Sequence, residues 1–200
     1  SVWISYLGSG IDVIRPDTSF VLHYTMYRDD NYILRNDMIT SLAFMPDGST
    51  LLGGQEGLQS IGADRHVLNE QELEKNFPWK KSIPKAYTCM TLSKDNKYLW
   101  VGTELSGVYK VNLVSNQVKR FSIENSEMDS NSILCIYESS ENIWIGSNAP
   151  YVYNQELDQV KWYNQKGMYI KNRMNAFFED SGKNLWMGAT RVGVRKINHD

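Results

Sequence analysis

A single motif recurs five times along this chain of 200 residues. Each copy has an apolar anchor, a tryptophan in four of the five, followed two residues later by a small residue. The anchors are Trp3, Leu52, Trp100, Trp144 and Trp186. The small residues are Ser5, Gly54, Gly102, Gly146 and Gly188. The intervals of 49, 48, 44 and 42 residues predict a fold built by stacking similar units.

The residues around each anchor predict four short strands, A to D. An apolar run broken by a polar turn lies upstream, and Pro46-Asp47-Gly48, Asp95-Asn96 and Asp180-Ser181-Gly182 supply the turn chemistry. Two further β-rich stretches follow, so the anchor lies on strand B. Four antiparallel strands repeated in this way predict an all-β fold, a segment of a β-propeller with four-stranded antiparallel blades.

The repeated tryptophan and glycine each have a structural explanation. One blade exposes two apolar faces and buries them by stacking on its neighbours. We expect each anchor tryptophan to pack between adjacent blades, as core and not as a platform for sugars. Each following glycine would allow a close approach of the chain that a side chain would block.

The repeats divide the chain into about four and a half blades. Residues 1–37 form strands B, C and D of a partial blade, and residues 172–200 form strands A, B and C of another. Whole blades are expected at residues 38–85, 86–130 and 131–171. We expect the remaining blades of a longer propeller, seven being a common total, to complete the domain. Open blade edges also predict self-association.

Composition excludes two classes of partner for this segment. Lys and Arg total 21 against 23 for Asp and Glu, with no basic run, so we expect no nucleic acid partner. No apolar stretch reaches the roughly 18 to 20 residues that span a bilayer, so we expect no membrane contact. Cys89 and Cys135 lie in apolar runs without metal or redox spacing, which predicts buried free thiols.

Residue patterns typical of catalysis are weak. His23, His66 and His199 lie in different units without metal-ligand spacing, so we expect no metal site. A glycine-rich stretch at residues 53–57 precedes a strand-like run and not a helix, so no nucleotide or other cofactor is expected. Glu179 and Asp180 are adjacent, which favours turn capping over a catalytic pair. A non-enzyme is therefore favoured.

A ligand is expected on the loops at one mouth of the propeller channel. The loops from B to C and from D to A emerge there, held by a rigid scaffold. The candidates in these loops are Tyr6, Arg28, Arg35, Gln55, Glu56, Trp79, Glu104, Asn148, Arg173 and Arg191.

The only irregular insertion spans residues 65–86. Asn69 and Glu72 have capping-box spacing, which predicts a short helix over EQELEKNF. Trp79 lies outside the anchor position, and either local packing or a contact surface would explain it.

Residues 172–198, NRMNAFFEDSGKNLWMGATRVGVRKIN, resemble the two-component regulator propeller repeat. The matching positions are Asn172, Glu179, Asp180, Gly182, Leu185, Trp186, Gly188, Gly193 and Val194. NSILCIYESSENIWIGS at residues 131–147 is similar, although Ala149-Pro150 stands where the second glycine of the repeat is usual.

The resemblance implies the extracytoplasmic sensor region of a hybrid two-component system sensor histidine kinase. It implies a periplasmic, non-catalytic segment whose ligand is an oligosaccharide, a fragment of a glycan. It also implies that a kinase elsewhere in the parent chain passes the signal on to control transcription. A propeller scaffold for protein–protein interaction or dimerisation is the alternative. A glycan-cleaving enzyme is less favoured, with Glu56 and Glu104 as the first carboxylates to test.

Overall fold

The computed structural model describes residues 1–6, 8–15, 21–27, 33–164 and 170–197. The chain divides into two compact units, Ser1–Tyr87 and Thr88–Asp200. Within the described part of each unit, antiparallel sheets of three or four strands dominate. The all-β prediction is therefore confirmed. In the same described part, no helix is long and apolar enough to cross a membrane.

The first unit contains two three-stranded sheets. The first sheet has the order β1 (Val2–Tyr6), β2 (Gly10–Ile14), β3 (Val21–Tyr24). The second has the order β4 (Ile39–Phe44), β5 (Thr50–Gly54), β6 (Gly57–Ile61). A buried cluster contains residues of both, with Ile11, Val13 and Tyr24 from the first and Ile39 and Leu52 from the second. The two sheets therefore share one core.

The second sheet lacks the fourth strand that the sequence pattern predicts for residues 38–85. After β6 the chain makes only an isolated antiparallel bridge between Ile61 and Val67. It then forms α1 (Glu70–Asn76) and a 3-10 helix (Pro78–Ser82). The physical reason is local: a capped run rich in helix-forming residues and a Pro-Trp step replace the β-rich stretch found in the other repeats.

The second unit contains three sheets in sequence. The first sheet begins with β7 (Tyr87–Leu92), and the order is β10 (Val118–Phe121), β9 (Val108–Asn112), β8 (Tyr98–Thr103), β7. The second runs β11 (Cys135–Glu138), β12 (Ile143–Gly146), β13 (Pro150–Asn154), β14 (Gln159–Trp162). The third runs β15 (Met174–Glu179), β16 (Leu185–Ala189), β17 (Gly193–Ile197).

Two of the three anchor tryptophans of this unit pack between successive sheets, as predicted, whereas the third, Trp186, is only half-buried. Trp100 on β8 is 1% exposed and shares a cluster with Ile145 and Tyr153 of the next sheet. Trp144 on β12 is 3% exposed and shares a cluster with Phe177 and Met187 of the sheet after that. Large apolar rings buried in this way supply much of the free energy that holds the sheets together.

The glycines two residues after Trp144 and Trp186 differ in how closely other atoms approach them. A Cβ at Gly146 would lie 2.4 Å from Cys135 Sγ and 2.7 Å from the Met174 carbonyl oxygen. Met174 belongs to the next sheet, so the predicted role in close approach is confirmed for Gly146. Gly188 differs, because the nearest atom to its Cβ would be Ala176 Cβ at 3.7 Å.

The cysteines are free, as predicted, but they are half-buried and not fully buried. Cys89 lies on β7 and Cys135 on β11, and each of these strands is at the edge of its sheet. An edge strand has a hydrogen-bonded neighbour on one side only, which explains the partial exposure. Loss of hydration still raises the pKa of both thiols to about 12, so neither is a reactive thiolate.

Candidate functional site

Two pockets formed by loops bring candidate residues together, one in each unit. The larger lies in Ser1–Tyr87 and has a volume of about 740 Å³. We call it the insertion pocket, because residues 80–81 and 83–85 of the insertion line it together with residues 35–36, residues 56–59, Glu70 and Tyr87. It contains Arg35 and Glu56 of the predicted set.

A buried amide holds the segment that carries Arg35. The Arg35 backbone N–H donates to Gln59 Oε1 at 2.6 Å, and Gln59 Nε2 donates to the Asn36 carbonyl at 2.9 Å. Gln59 is 4% exposed on β6. The Arg35 guanidinium also donates from Nη2 to the Leu58 carbonyl at 2.8 Å. The loop and the guanidinium are therefore fixed to a strand.

The insertion is a folded element that begins with the predicted capping box. The Glu72 backbone N–H donates to Asn69 Oδ1 at 3.0 Å, and the Asn69 backbone N–H donates to Glu72 Oε2 at 2.9 Å. Leu73, Phe77 and Ile83 are buried and anchor it. The capping box and the buried side chains therefore fix the part of the insertion that lines the pocket.

Trp79 corrects the predicted set of binding residues. Its side chain is 2% exposed and makes an edge contact with Phe77, with ring centroids 6.0 Å apart. A ring buried to this extent has no free face for a ligand. Local packing is the right explanation, and Trp79 supports the insertion pocket without lining it.

Charged groups dominate the insertion pocket. One carboxylate, Glu70, pairs with both Arg35 and Lys80. Near it, Lys85 pairs with Glu56 at 2.7 Å. Burial lowers the pKa of Lys80, and the nearby positive charge of Arg35 lowers it further. Burial also lowers the pKa of Arg35.

Three other predicted residues meet in the second unit, in what we call the three-loop pocket. Asn148, Arg173 and Arg191 line a cavity of about 410 Å³. The further lining residues are Lys171, Asn172 and Thr190. The three loops follow β12, precede β15 and follow β16, so this part of the loop geometry is as the repeat predicts. All three of the predicted residues are exposed.

The remaining candidates lie elsewhere. Tyr6 is exposed and donates its hydroxyl to Asp12 at 3.0 Å, and Asp12 also contacts the His23 ring at 2.6 Å. Gln55 is half-buried, and its carbonyl accepts from the Ala86 backbone N–H at 2.9 Å. Glu104 is exposed in the loop after β8.

Arg28 lies outside the described residues. Histidine 199 does as well. Among the residues that the structure does describe, no group of three His, Cys, Asp or Glu side chains could hold a metal ion.

Sequence reasoning missed the lysines and the acid of the insertion pocket. Lys80 and Lys85 come from PWKKSIPK at residues 78–85, where three lysines within eight residues could have indicated a small local group of cations. Glu70 is on α1 and gives no comparable signal, because an acidic residue in the first turn of a helix is common.

Comparisons with known proteins agree with this architecture. Residues 127–149 match the family model described as two component regulator propeller. The extracellular domain described as part of the hybrid two-component system BT3049 of B. thetaiotaomicron superimposes with a TM-score of 0.76 at 17% identity. That match covers 98% of this chain and 25% of the other. A search of curated proteins with the sequence returns no match.

Two further structures are similar. The extracellular domain of BT4673 of B. thetaiotaomicron gives a TM-score of 0.70 at 19% identity, over 94% of this chain and 23% of that one. PorZ, a surface component of the type-IX secretion system of Porphyromonas gingivalis, gives a TM-score of 0.67 at 11% identity. That match covers 99% of this chain and 31% of PorZ.

The fold therefore defines the class of the protein as a β-propeller. The chain spans about a quarter of the length of the two-component structures that it matches. Within that class, residues 127–149 match the model of the two-component regulator propeller family, which confirms the resemblance seen in residues 131–147.

Proposed function

We propose that this chain is a non-catalytic, ligand-sensing segment of the extracytoplasmic propeller of a hybrid two-component sensor histidine kinase. Its cue is a glycan fragment, and the parent protein places the segment in the periplasm. The family repeat and the similarity to extracellular domains of two-component systems support this reading. Control of transcription would follow from domains elsewhere in the parent chain.

The observation that carries the proposal is the insertion pocket. Its volume of about 740 Å³ lies within the roughly 300 to 1,000 Å³ typical of small-molecule sites. Its polar groups are held by a strand, a capped helix and buried side chains, so they are fixed before a ligand arrives. Rigidly held hydrogen-bonding groups reduce the entropic cost of binding a polyhydroxylated ligand.

Exposed apolar side chains in the first and last sheets along the chain support membership of a larger propeller. Val2 and Ile4 on β1 are 53% and 36% exposed, and Phe178 and Val194 in the last sheet are 60% and 67% exposed. Patches of this kind mark interaction surfaces. We expect the remaining blades of the parent propeller, with seven as the favoured total, to cover them, and a second copy to do so in the isolated segment.

Ligand-dependent thermal stabilisation tests the proposal. A panel of neutral and acidic oligosaccharides is titrated against the segment while the melting temperature is measured. Binding to the folded form at about 100 times Kd stabilises it by about 2.7 kcal/mol, so a binder should raise the melting temperature by several degrees. Arg35→Gln tests the insertion pocket, Arg173→Gln tests the three-loop pocket, and Lys97→Gln is the matched control. A flat response to the whole panel would contradict the proposal.

A protein-interaction scaffold is the second candidate function. The exposed apolar side chains and the similarity to PorZ, a component of a secretion system, favour it. Because self-association of the isolated segment is expected for both candidates, sedimentation velocity is combined with the glycan panel: a scaffold forms concentration-dependent assemblies and shows no response to glycans. A monomer that a glycan stabilises would exclude the scaffold.

A further inference from the structure

The insertion pocket contains two cations that share a single carboxylate. Glu70 Oε2 accepts from Arg35 Nη1, and Glu70 Oε1 accepts from Lys80 Nζ. The other lysines of the pocket have partners of their own: Lys81 pairs with Glu74 at 3.0 Å and Lys85 with Glu56 at 2.7 Å. One positive charge of the Arg35 and Lys80 pair is therefore not neutralised by the acid they share.

Of the two cations, Lys80 is the one largely removed from water. The Lys80 side chain is 15% exposed, compared with 41% for Arg35 and 49% for Glu70. Charge–charge interactions are stronger where water is partly excluded, so Lys80 should attract an external anion more than an exposed lysine would. The exposed carboxylate is the member of the trio that solvent reaches most easily.

The position of the guanidinium is fixed before any ligand binds. Arg35 Nη2 donates to the Leu58 carbonyl, and the Arg35 backbone is held by Gln59, as described above. An arginine held in this way can present its fork to the two oxygens of a carboxylate or to a sulfate. Lys80 lies on the 3-10 helix, which the buried Trp79 anchors.

We propose that the insertion pocket binds the acidic group of a sugar, a carboxylate or a sulfate, and that Glu70 occupies the place of that group in the free protein. This inference rests on the proposed function, because it names the ligand class of the same pocket. The ligand acid replaces the Glu70 carboxylate on Arg35 and Lys80. Glu70 lies in the first turn of α1, so its release breaks the ion pairs that join this helix to Arg35 and to Lys80 of the 3-10 helix, which links binding to a change in the insertion.

The internal acid also sets the apparent affinity. A pocket that its own carboxylate fills for most of the time binds an external acid more weakly, in proportion to the fraction that is open. Glu70→Gln removes the competing charge and keeps the shape of the side chain. We expect this variant to bind an acidic sugar about 3- to 10-fold more tightly than the wild type.

The experiment compares matched ligands and matched variants by calorimetry. Tri-galacturonate tests the carboxylate, its methyl ester is the same sugar without charge, and a sulfated galactan disaccharide, which has no carboxylate, tests the sulfate. Glu70→Gln should tighten binding of the acid, Arg35→Gln and Lys80→Gln should weaken it at least 10-fold, and Glu156→Gln should leave it unchanged. In a parallel melting experiment, inorganic sulfate should stabilise the wild type more than Lys80→Gln, with chloride at equal ionic strength as reference.

The outcomes separate this inference from the proposed function. Equal binding of the acid and its methyl ester overturns the acid site and leaves glycan sensing intact. Unchanged or weaker binding of the acid by Glu70→Gln overturns the displacement of Glu70. If neither acidic ligand binds and sulfate does not distinguish the wild type from Lys80→Gln, the acid site is wrong. Only the absence of binding across the whole oligosaccharide panel counts against the proposed function.

Discussion

Equivalent glutamates at the ends of two successive A strands make the same contact. Glu138 on β11 accepts from the Lys94 backbone N–H at 2.5 Å, and Glu179 on β15 accepts from the Ser140 backbone N–H at 2.8 Å. Each donor lies in the turn between the first two strands of the preceding sheet. The glutamate of the repeat therefore ties its own sheet to the sheet before it.

Two glycines in equivalent positions give a matched test of close packing between sheets. Gly146→Ala would place a Cβ within 2.7 Å of two atoms, one of them in the next sheet. We expect it to lower the free energy of unfolding by about 1 to 3 kcal/mol, as overpacking does. The added Cβ of Gly188→Ala has room, so this variant should change the free energy of unfolding by less than about 0.5 kcal/mol. Urea denaturation measures both, and equal effects would contradict the packing.

Asp180 makes stability depend on pH. Its carboxylate accepts from the Trp186 indole N–H at 2.8 Å and from the Asn184 backbone N–H at 2.9 Å. These bonds lower the pKa of Asp180 to about 2, compared with about 3.9 for an unperturbed aspartate. Because the pKa of Asp180 is lower in the folded protein, its ionised carboxylate stabilises the fold at pH values above the pKa in the unfolded chain. This contribution is lost as the pH falls through the pKa in the folded protein.

We therefore expect Asp180→Asn to be less stable than the wild type at pH 6, with the difference closing between about pH 4 and pH 2. The denaturation midpoints of the two proteins are measured side by side, because the effects of the other carboxylates on stability cancel in the difference. A difference that stays constant down to pH 2 would show that charge at Asp180 contributes nothing.

At the residue scale, sequence reasoning predicted roles that depend on neighbours along the chain. Asp180 as a turn cap and Gly146 as a point of close approach follow from local spacing. The contact of Glu179 with Ser140 could not be predicted, because it joins residues 39 apart through the stacking of two sheets. Trp79 was ambiguous for the same reason: burial depends on what folds over a side chain.

Among the elements of the fold, α1 and the 3-10 helix form the irregular part of a regular array. Their apolar side chains face the core, while Glu70, Lys80 and Lys81 line the insertion pocket. The repeat period predicted where the insertion lies and the capping box predicted its helix. Neither could predict that the insertion would replace a strand and form a pocket, since both outcomes depend on tertiary packing.

The capping box gives a prediction for this element. Asn69→Ala removes the acceptor of the Glu72 N–H, which should destabilise α1 by about 1 kcal/mol. Hydrogen exchange should therefore become faster in residues 70–77 and remain unchanged in β8 and β12. Asn69→Asp, which keeps a capping oxygen, should restore most of the protection. Unchanged exchange in Asn69→Ala would mean that packing alone holds the helix.

An aromatic cluster in the second unit shows how one side chain joins two sheets. Lys110 on β9 donates from Nζ to the Tyr153 hydroxyl on β13 at 2.6 Å. The same ammonium lies 4.4 Å from the Tyr98 ring centroid and 4.6 Å from that of Tyr153. Cation–π contacts of this type are stronger when water is partly excluded, and the Lys110 side chain is largely buried.

For the whole molecule, the repeat period carried most of the correct prediction. Five anchors spaced by 42 to 49 residues predicted stacked antiparallel sheets, and the comparisons place the chain in the β-propeller class. The ligand-binding set remains a prediction, because loop residues within each repeat vary without a period. Tertiary structure groups some of them into pockets, and a single sequence does not encode that grouping in any local pattern.

The central claim is that neighbouring sheets bury the anchor tryptophans Trp100 and Trp144 between them. Fluorine NMR of the protein labelled with 5-fluorotryptophan, assigned by tryptophan-to-phenylalanine variants, tests it with a neutral gadolinium chelate in solution. The signals of Trp100 and Trp144 should be almost unaffected, while that of the half-buried Trp186 should broaden. Broadening of Trp100 and Trp144 equal to that of Trp186 would contradict the stacked sheets.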